Sequence, residues 1–171
     1  MKTAIIYSFR SRNTSAAAKM LNDLFKDYAV DDIDADKITG DIFKSYDNLI
    51  LGVPTVFYGE LPIYWDEFVP ELLELDLTGK KIAVFGNGDQ RHYPDNFVDA
   101  IGIMTDIAES RGAAIAGCVS TDGYFFDKSR AVKNNMFRGL PIDAENQQEM
   151  TEERLQKWAG QLINELELKV S

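Results

Sequence analysis

Ser8, Arg10, Ser11, Arg12, Thr14 and Ser15 put four hydroxyls and two guanidiniums into one short stretch of chain. An apolar run, Thr3 to Tyr7, leads into it, and a helix is expected from about Thr14 to Lys26. A strand-to-helix turn leaves backbone N–H groups without partners, and the aligned peptide dipoles add partial positive charge there. With the arginines, the chemistry is that of an anion site, most simply a phosphate site. An ordinary helix start with a Ser or Thr cap accounts for the same residues equally well. The rest of the chain has to decide.

Two later stretches have complementary chemistry. The first is Pro54-Thr55-Val56-Phe57-Tyr58-Gly59-Glu60-Leu61-Pro62, after the apolar run Leu49 to Val53. The second is Gly86-Asn87-Gly88-Asp89-Gln90, running on through Tyr93 and Asn96, after Ile82 to Phe85. Phe57, Tyr58 and Tyr93 offer faces for a flat ring. Gly59, Gly86 and Gly88 let backbone N–H and C=O groups reach a ring edge. A ligand with a phosphate tail and a flat polar ring matches all three stretches. Flavin mononucleotide (FMN) has that shape, and a bare nucleotide is the less demanding alternative.

The elements that must position these residues alternate in type. Short, continuously apolar runs are expected of strands buried on both faces. Between them lie stripes at helical spacing: Ala17, Ala18, Leu21, Phe25; then Trp65, Phe68, Val69, Leu72, Leu73; then Phe97, Ala100, Ile101, Met104, Ile107, Ala108. Ala113 to Val119 is a further strand, Ser120 to Arg138 has no clear period, and Gly139 to Asp143 is a short strand. The last helix, Thr151 to Glu167, buries Leu155, Trp158 and Leu162. The pattern predicts an α/β fold: a doubly wound, five-stranded parallel sheet with helices on both faces. Ligands of such sheets bind beyond the C-terminal strand ends. Residues 8–14, 54–60 and 86–97 leave those ends, so one composite site is expected.

At 171 residues a single domain spanning 1–171 is expected. One cysteine and one histidine rule out an internal disulfide, a multi-Cys cluster and a His-rich metal site. The formal net charge of −10 argues against nucleic acid and suits basic protein partners. No apolar run approaches the roughly 20 residues that span a bilayer. No signal-peptide pattern opens the chain, so the default expectation is cytoplasmic, with no membrane association. His92 is expected in a solvent loop. Cys118 is expected as a small hydrophobe in a buried strand, and Trp65 and Trp158 in the core.

Three stretches carry a resemblance to a known family: Pro54-Thr55 with Gly59-Glu60-Leu61; Phe85 to Gln90 with Tyr93 and Asp95-Asn96-Phe97; and Asp122-Gly123-Tyr124 with Ser129, Ala131-Val132, Asn134, Phe137, Gly139-Leu140 and Asp143 to Gln147. The chain resembles the flavodoxin family, specifically its long-chain branch, over essentially its whole length. The resemblance implies non-covalent FMN at the sheet edge, single-electron transfer between redox proteins, and no substrate of its own. It also implies that residues 120–138 are the insertion that interrupts the last strand. Carried over position by position, the implied cofactor-binding set is Ser8, Phe9, Arg10, Ser11, Arg12, Asn13 and Thr14; Pro54, Thr55, Val56, Phe57, Tyr58 and Gly59; Asn87, Gly88, Asp89, Tyr93, Asn96 and Phe97; and Glu145. No catalytic or metal-binding residue is implied. The partners would be a basic reductase and a basic acceptor, and the protein a monomer.

Three positions depart from the family pattern. Its phosphate loop runs Thr or Ser, any residue, Thr, Gly, any residue, Thr. Here Phe9 replaces the first hydroxyl and Arg12 the glycine, which restrains the backbone while two arginines add charge. Val56 stands where the family has a ring-stacking tryptophan, and Phe57 at the position whose peptide reorients on reduction. Two other functions compete: a flavodoxin-like regulatory module with weak or lost FMN binding, and a flavin-dependent quinone or nitro reductase. FMN should bind more weakly than to typical members, because a stack worth about 0.5–1.5 kcal/mol beyond burial is gone. Isothermal titration checks this, and a sub-nanomolar dissociation constant would refute it.

Overall fold

The computed structural model describes residues 1–171. Five parallel strand positions form the sheet, in the order β2 (Val30–Asp34), β1 (Thr3–Tyr7), β3 (Asn48–Gly52), β4 (Lys81–Asn87), β5 (Ala114–Ala116). The last position is built from two segments. β5 pairs with Lys81–Ala83 of β4, and β9 (Leu140–Ile142) pairs with Phe85–Asn87. The chain between them folds on itself as a small antiparallel sheet, β6 (Val119–Ser120), β8 (Met136–Phe137), β7 (Val132–Lys133). The expected interruption of the last strand is thus a piece of structure in its own right.

Side chains alternate across the sheet, and both faces are covered. Ile5, Tyr7, Ile50, Ala83 and Phe85 pack with α1 (Arg12–Leu24) and α6 (Thr151–Glu165). Ala4, Ile6, Leu49, Leu51, Ile82 and Val84 pack on the other face with Trp65, Phe68, Met104 and Phe97. Trp65 and Trp158 are both core, and each indole N–H donates to a backbone carbonyl: Trp65 to Gly52 at 2.9 Å, Trp158 to Gly117 at 2.8 Å.

Four boundaries differ from the sequence pattern, three of them for identifiable reasons. α1 opens at Arg12, earlier than expected, and the short α2 (Gly40–Lys44) follows β2. The helix expected around Trp65 to Leu73 is two single turns, α3 (Ile63–Asp66) and α4 (Val69–Leu72), because Pro70 has no N–H to continue the ladder; Leu73 lies in solvent. α5 begins at Asp99, since Val98 has a left-handed φ of 47°, and Phe97 precedes the helix. The strand expected over Ala113 to Val119 stops at Ala116 because Gly117 turns out of the sheet with φ 77°. Cys118 is therefore half-buried in a connection rather than inside a strand, and burial pushes its thiol up from the usual range.

α6 is held on the sheet by Trp158, which meets Phe85 edge-on with ring centroids 5.9 Å apart. Trp158→Ala should therefore cost about 3–5 kcal/mol of stability. Urea unfolding followed by circular dichroism measures it.

Candidate functional site

The loop after β1 is pre-formed by its own hydrogen bonds. Ser8 is buried; its carbonyl accepts from the Ser11 N–H at 3.1 Å and from the Ser11 hydroxyl at 2.8 Å. Its Oγ accepts from the Arg10 N–H at 3.4 Å, and the Phe9 N–H donates to Asp34 at 3.2 Å. Ser11 thus occupies the N-cap of α1, but its hydroxyl faces back into the loop and caps nothing. No group of the protein accepts from the N–H groups of Arg12, Asn13 and Thr14. Three orphan donors at a helix start are the partner set an anion needs. The structure thus shows no Ser or Thr side-chain cap on this helix start.

The two arginines separate. Arg10 turns away to Asp36, with Nε 2.8 Å from Oδ2 and the side chain 85% exposed. That pair is solvent-screened and worth little. Arg12 is exposed at the first helical position with no ion-pair partner. Phe9 lies half in solvent, its ring 5.0 Å from that of Tyr7. Burial, then Asp32, pushes the Tyr7 hydroxyl up to about 12. Thr14 is buried and Asn13 half-buried.

The loops after β3 and β4 enclose a cavity of about 210 Å³ that opens to solvent. Thr55, Phe57, Asn87, Gly88, Asp89, Tyr93, Asn96 and Glu145 line it. Val98 also lines it, a residue not anticipated from sequence. The signal it could have offered, a β-branched residue at positive φ, exists only in three dimensions. Phe57 also has a left-handed φ, 49°. Strained backbone of this kind persists only where its surroundings impose it, and it gathers at functional sites.

Hydrogen bonds between loops fix the cavity walls. Val56 and Glu60 exchange both backbone bonds at 2.9 Å, which closes Phe57-Tyr58-Gly59 into a tip. Gly59 is needed there: its φ is 93°, and a Cβ would sit 2.6 Å from the Asp99 carboxylate. The Thr55 hydroxyl accepts from the Ala100 N–H at 3.1 Å, so it caps α5 from another loop. Asp143 is fully buried. Oδ2 accepts from the Gln90 N–H at 3.0 Å and its side-chain amide at 2.9 Å, and Asn146 donates to both carboxylate oxygens. Asn146 also donates to Asp89 at 2.8 Å. Asn87 accepts from the Ala144 N–H at 3.1 Å.

Not every expected residue faces the cavity. Phe97 is 1% exposed and packs among Tyr124, Phe126 and Phe137, so its side chain belongs to the core. Val56 is half-buried in the hairpin stem. Tyr58 is 78% exposed and meets Tyr93 edge-on at 5.6 Å, outside the lining. Pro54 is half-buried at the end of β3. His92 is exposed as expected, with Nδ1 2.8 Å from Asp89. The sequence reading did not assign roles to Asp99 and Gln90, whose buried side chains brace the loops.

An uncapped helix start beside a ring-sized cleft, at the C-terminal edge of a doubly wound parallel sheet, defines the class: a flavin- or nucleotide-binding α/β protein. The flavodoxin family profile matches residues 5–158. Flavodoxin 1 of Escherichia coli K12 is 44% identical over 168 residues, covering 97% of this chain and 95% of that one. A flavodoxin of Synechocystis is 40% identical over 162 residues, covering 94% and 95%. The solved structure of Fusobacterium nucleatum flavodoxin bound to flavin mononucleotide superposes with a TM-score of 0.91 at 29% identity, covering 99% of this chain and all of that one. The chain belongs to the flavodoxin family.

The Asp89 carboxyl is raised by burial, but the His92 N–H, the Asn146 amide and the His92 ring outweigh this and hold it below the usual carboxylate range. A depressed folded value contributes stability that is complete above the ordinary value, near 4, and is lost as pH falls through the lowered one. The stability gap between wild type and Asp89→Asn should therefore be widest near pH 7 and shrink toward pH 2. Urea midpoints for both proteins across that range test it.

Proposed function

We propose that this chain is a low-potential, one-electron carrier holding FMN at the three loops, its phosphate on the first turn of α1 and its ring beside Tyr93. The carrying observation is that three unpartnered N–H groups and the Tyr93 cavity lie at the same edge of one sheet. The residues present fit the cofactor in kind: orphan donors for the phosphate, an aromatic face for the ring, and polar groups at the rim. The bound flavin supplies the redox chemistry, taking up and releasing electrons singly.

The chain's own groups then set binding and potential. Arg12 replaces the flexibility of a loop glycine with formal charge next to the orphan donors. Phe57 and Tyr93 both line the cavity, so Phe57 offers an aromatic ring beside the position where Val56 does not. Asp89 and Glu145 at the same cavity oppose added negative charge, which lowers the reduction potential. The site residues of this reading are those of the three loops together with Glu145, less the side chain of Phe97.

The carrier acts on no substrate of its own, and quinone reduction is not its function. The net charge of −10 steers it to basic faces on a reductase and an acceptor. No helix is long and apolar enough to cross a membrane. A cytoplasmic monomer is the form in which it would diffuse between partners.

Protein mixed with FMN and desalted should emerge yellow with one equivalent bound; a colourless product overturns the reading. Arg12→Ala should weaken FMN about tenfold, the effect of losing one charge-assisted phosphate contact, and leave riboflavin affinity unchanged. Phe97→Leu should lower the melting temperature but not FMN affinity. Fluorescence-quenching titrations report the affinities.

A further inference from the structure

A second cavity, of about 420 Å³, lies away from the three loops, between α6 and the small antiparallel sheet. It shares no lining residue with the cleft that holds Tyr93. Its walls are apolar: Val119, Met136, Leu140 and Trp158, with Tyr124 at one side. Its volume and mixed lining are those of small-ligand pockets, which pair apolar walls with a few placed polar groups.

The polar groups favour one sign of charge. Arg154 and Lys157, one helical turn apart on α6, both line the cavity, and neither makes an ion pair. Asp122 is the single acid in the lining. In a chain with net charge −10, two unpaired cations on one apolar cavity stand against the surrounding field. Arg154 is also held in place. Its guanidinium lies 3.9 Å from the centre of the Tyr124 ring, and Nη2 donates to the Gly123 carbonyl at 3.3 Å. Nη1 is enclosed without a hydrogen-bond partner, so the guanidinium is not fully satisfied by the protein.

We propose that this cavity is a binding site for a small aromatic or branched aliphatic carboxylate. The apolar body lies along Trp158, Leu140 and Met136, and the carboxylate meets Arg154 and Lys157. The site does not depend on the flavin reading, because none of its residues belongs to the three loops. It adjoins the flavin cleft structurally through β9. Leu140 lines the new site, the Tyr124 hydroxyl donates to the Pro141 carbonyl at 2.7 Å, and Asp143 anchors Gln90 at the other end of the same segment.

The test uses the full chain with FMN present in excess, and 2-naphthoate as probe, with 2-naphthylmethanol as its uncharged counterpart. Proton–nitrogen NMR spectra are recorded during titration. The expected result is saturable shifts confined to residues 118–124, 136–140 and 154–161, with naphthoate bound about fivefold more tightly than the alcohol, the size of one partly exposed ion pair. Lys157→Gln alters an exposed side chain, so the fold is expected to survive; it should remove most of the preference for the carboxylate, and Arg154→Gln the rest. Three outcomes overturn the proposal: shifts at residues 55–59 or 89–96 instead, equal affinity for acid and alcohol, or no saturable shift up to the solubility of the probe.

Discussion

The carboxylate of Asp143 ties the end of β9 to the loop after β4, and the cleft takes its shape from that tie. A buried carboxylate is costly unless its oxygens are fully hydrogen-bonded. Here the backbone and side chain of Gln90 and the backbone and side chain of Asn146 all donate to it. The loop carrying Asp89 and Tyr93 is thus fixed by a residue far along the chain, beyond the whole insertion. Gln90 passes the constraint on by accepting from the Phe125 N–H, so the insertion and the cleft share one polar network.

A similar division of labour holds the other wall. Thr55 caps α5, and Asp99 at the start of α5 accepts from Arg130 and Asn96. Phe57 and Val98, both at positive φ, lie between these braces. Neither conformation is favourable for the residue itself. Each is imposed by hydrogen bonds on either side, which fixes the backbone of the cavity wall. A wall set in advance loses less entropy on ligand binding than one that must be ordered by the ligand.

Electrostatics divides the molecule. The loop after β1 has orphan donors and Arg12, whereas the cleft has Asp89 and Glu145. A phosphate monoester is attracted at one end, while electron density added to a ring is opposed at the other. Arg10, despite its place in the loop, is spent on Asp36. Charge counted along the sequence therefore overstated the positive field at the loop after β1.

The sequence alone determined the sheet, its two covered faces and the three loops at its edge, because apolar period and turn residues are local properties. It also carried the family resemblance and the departures at Phe9, Arg12 and Val56. Only the tertiary structure decided that Phe97 is core, that Arg10 is taken by Asp36, that Ser11 leaves the helix start uncapped, and that Asp143 anchors Gln90. Each of these depends on partners distant in sequence or on where a side chain turns, and residue type and spacing encode neither.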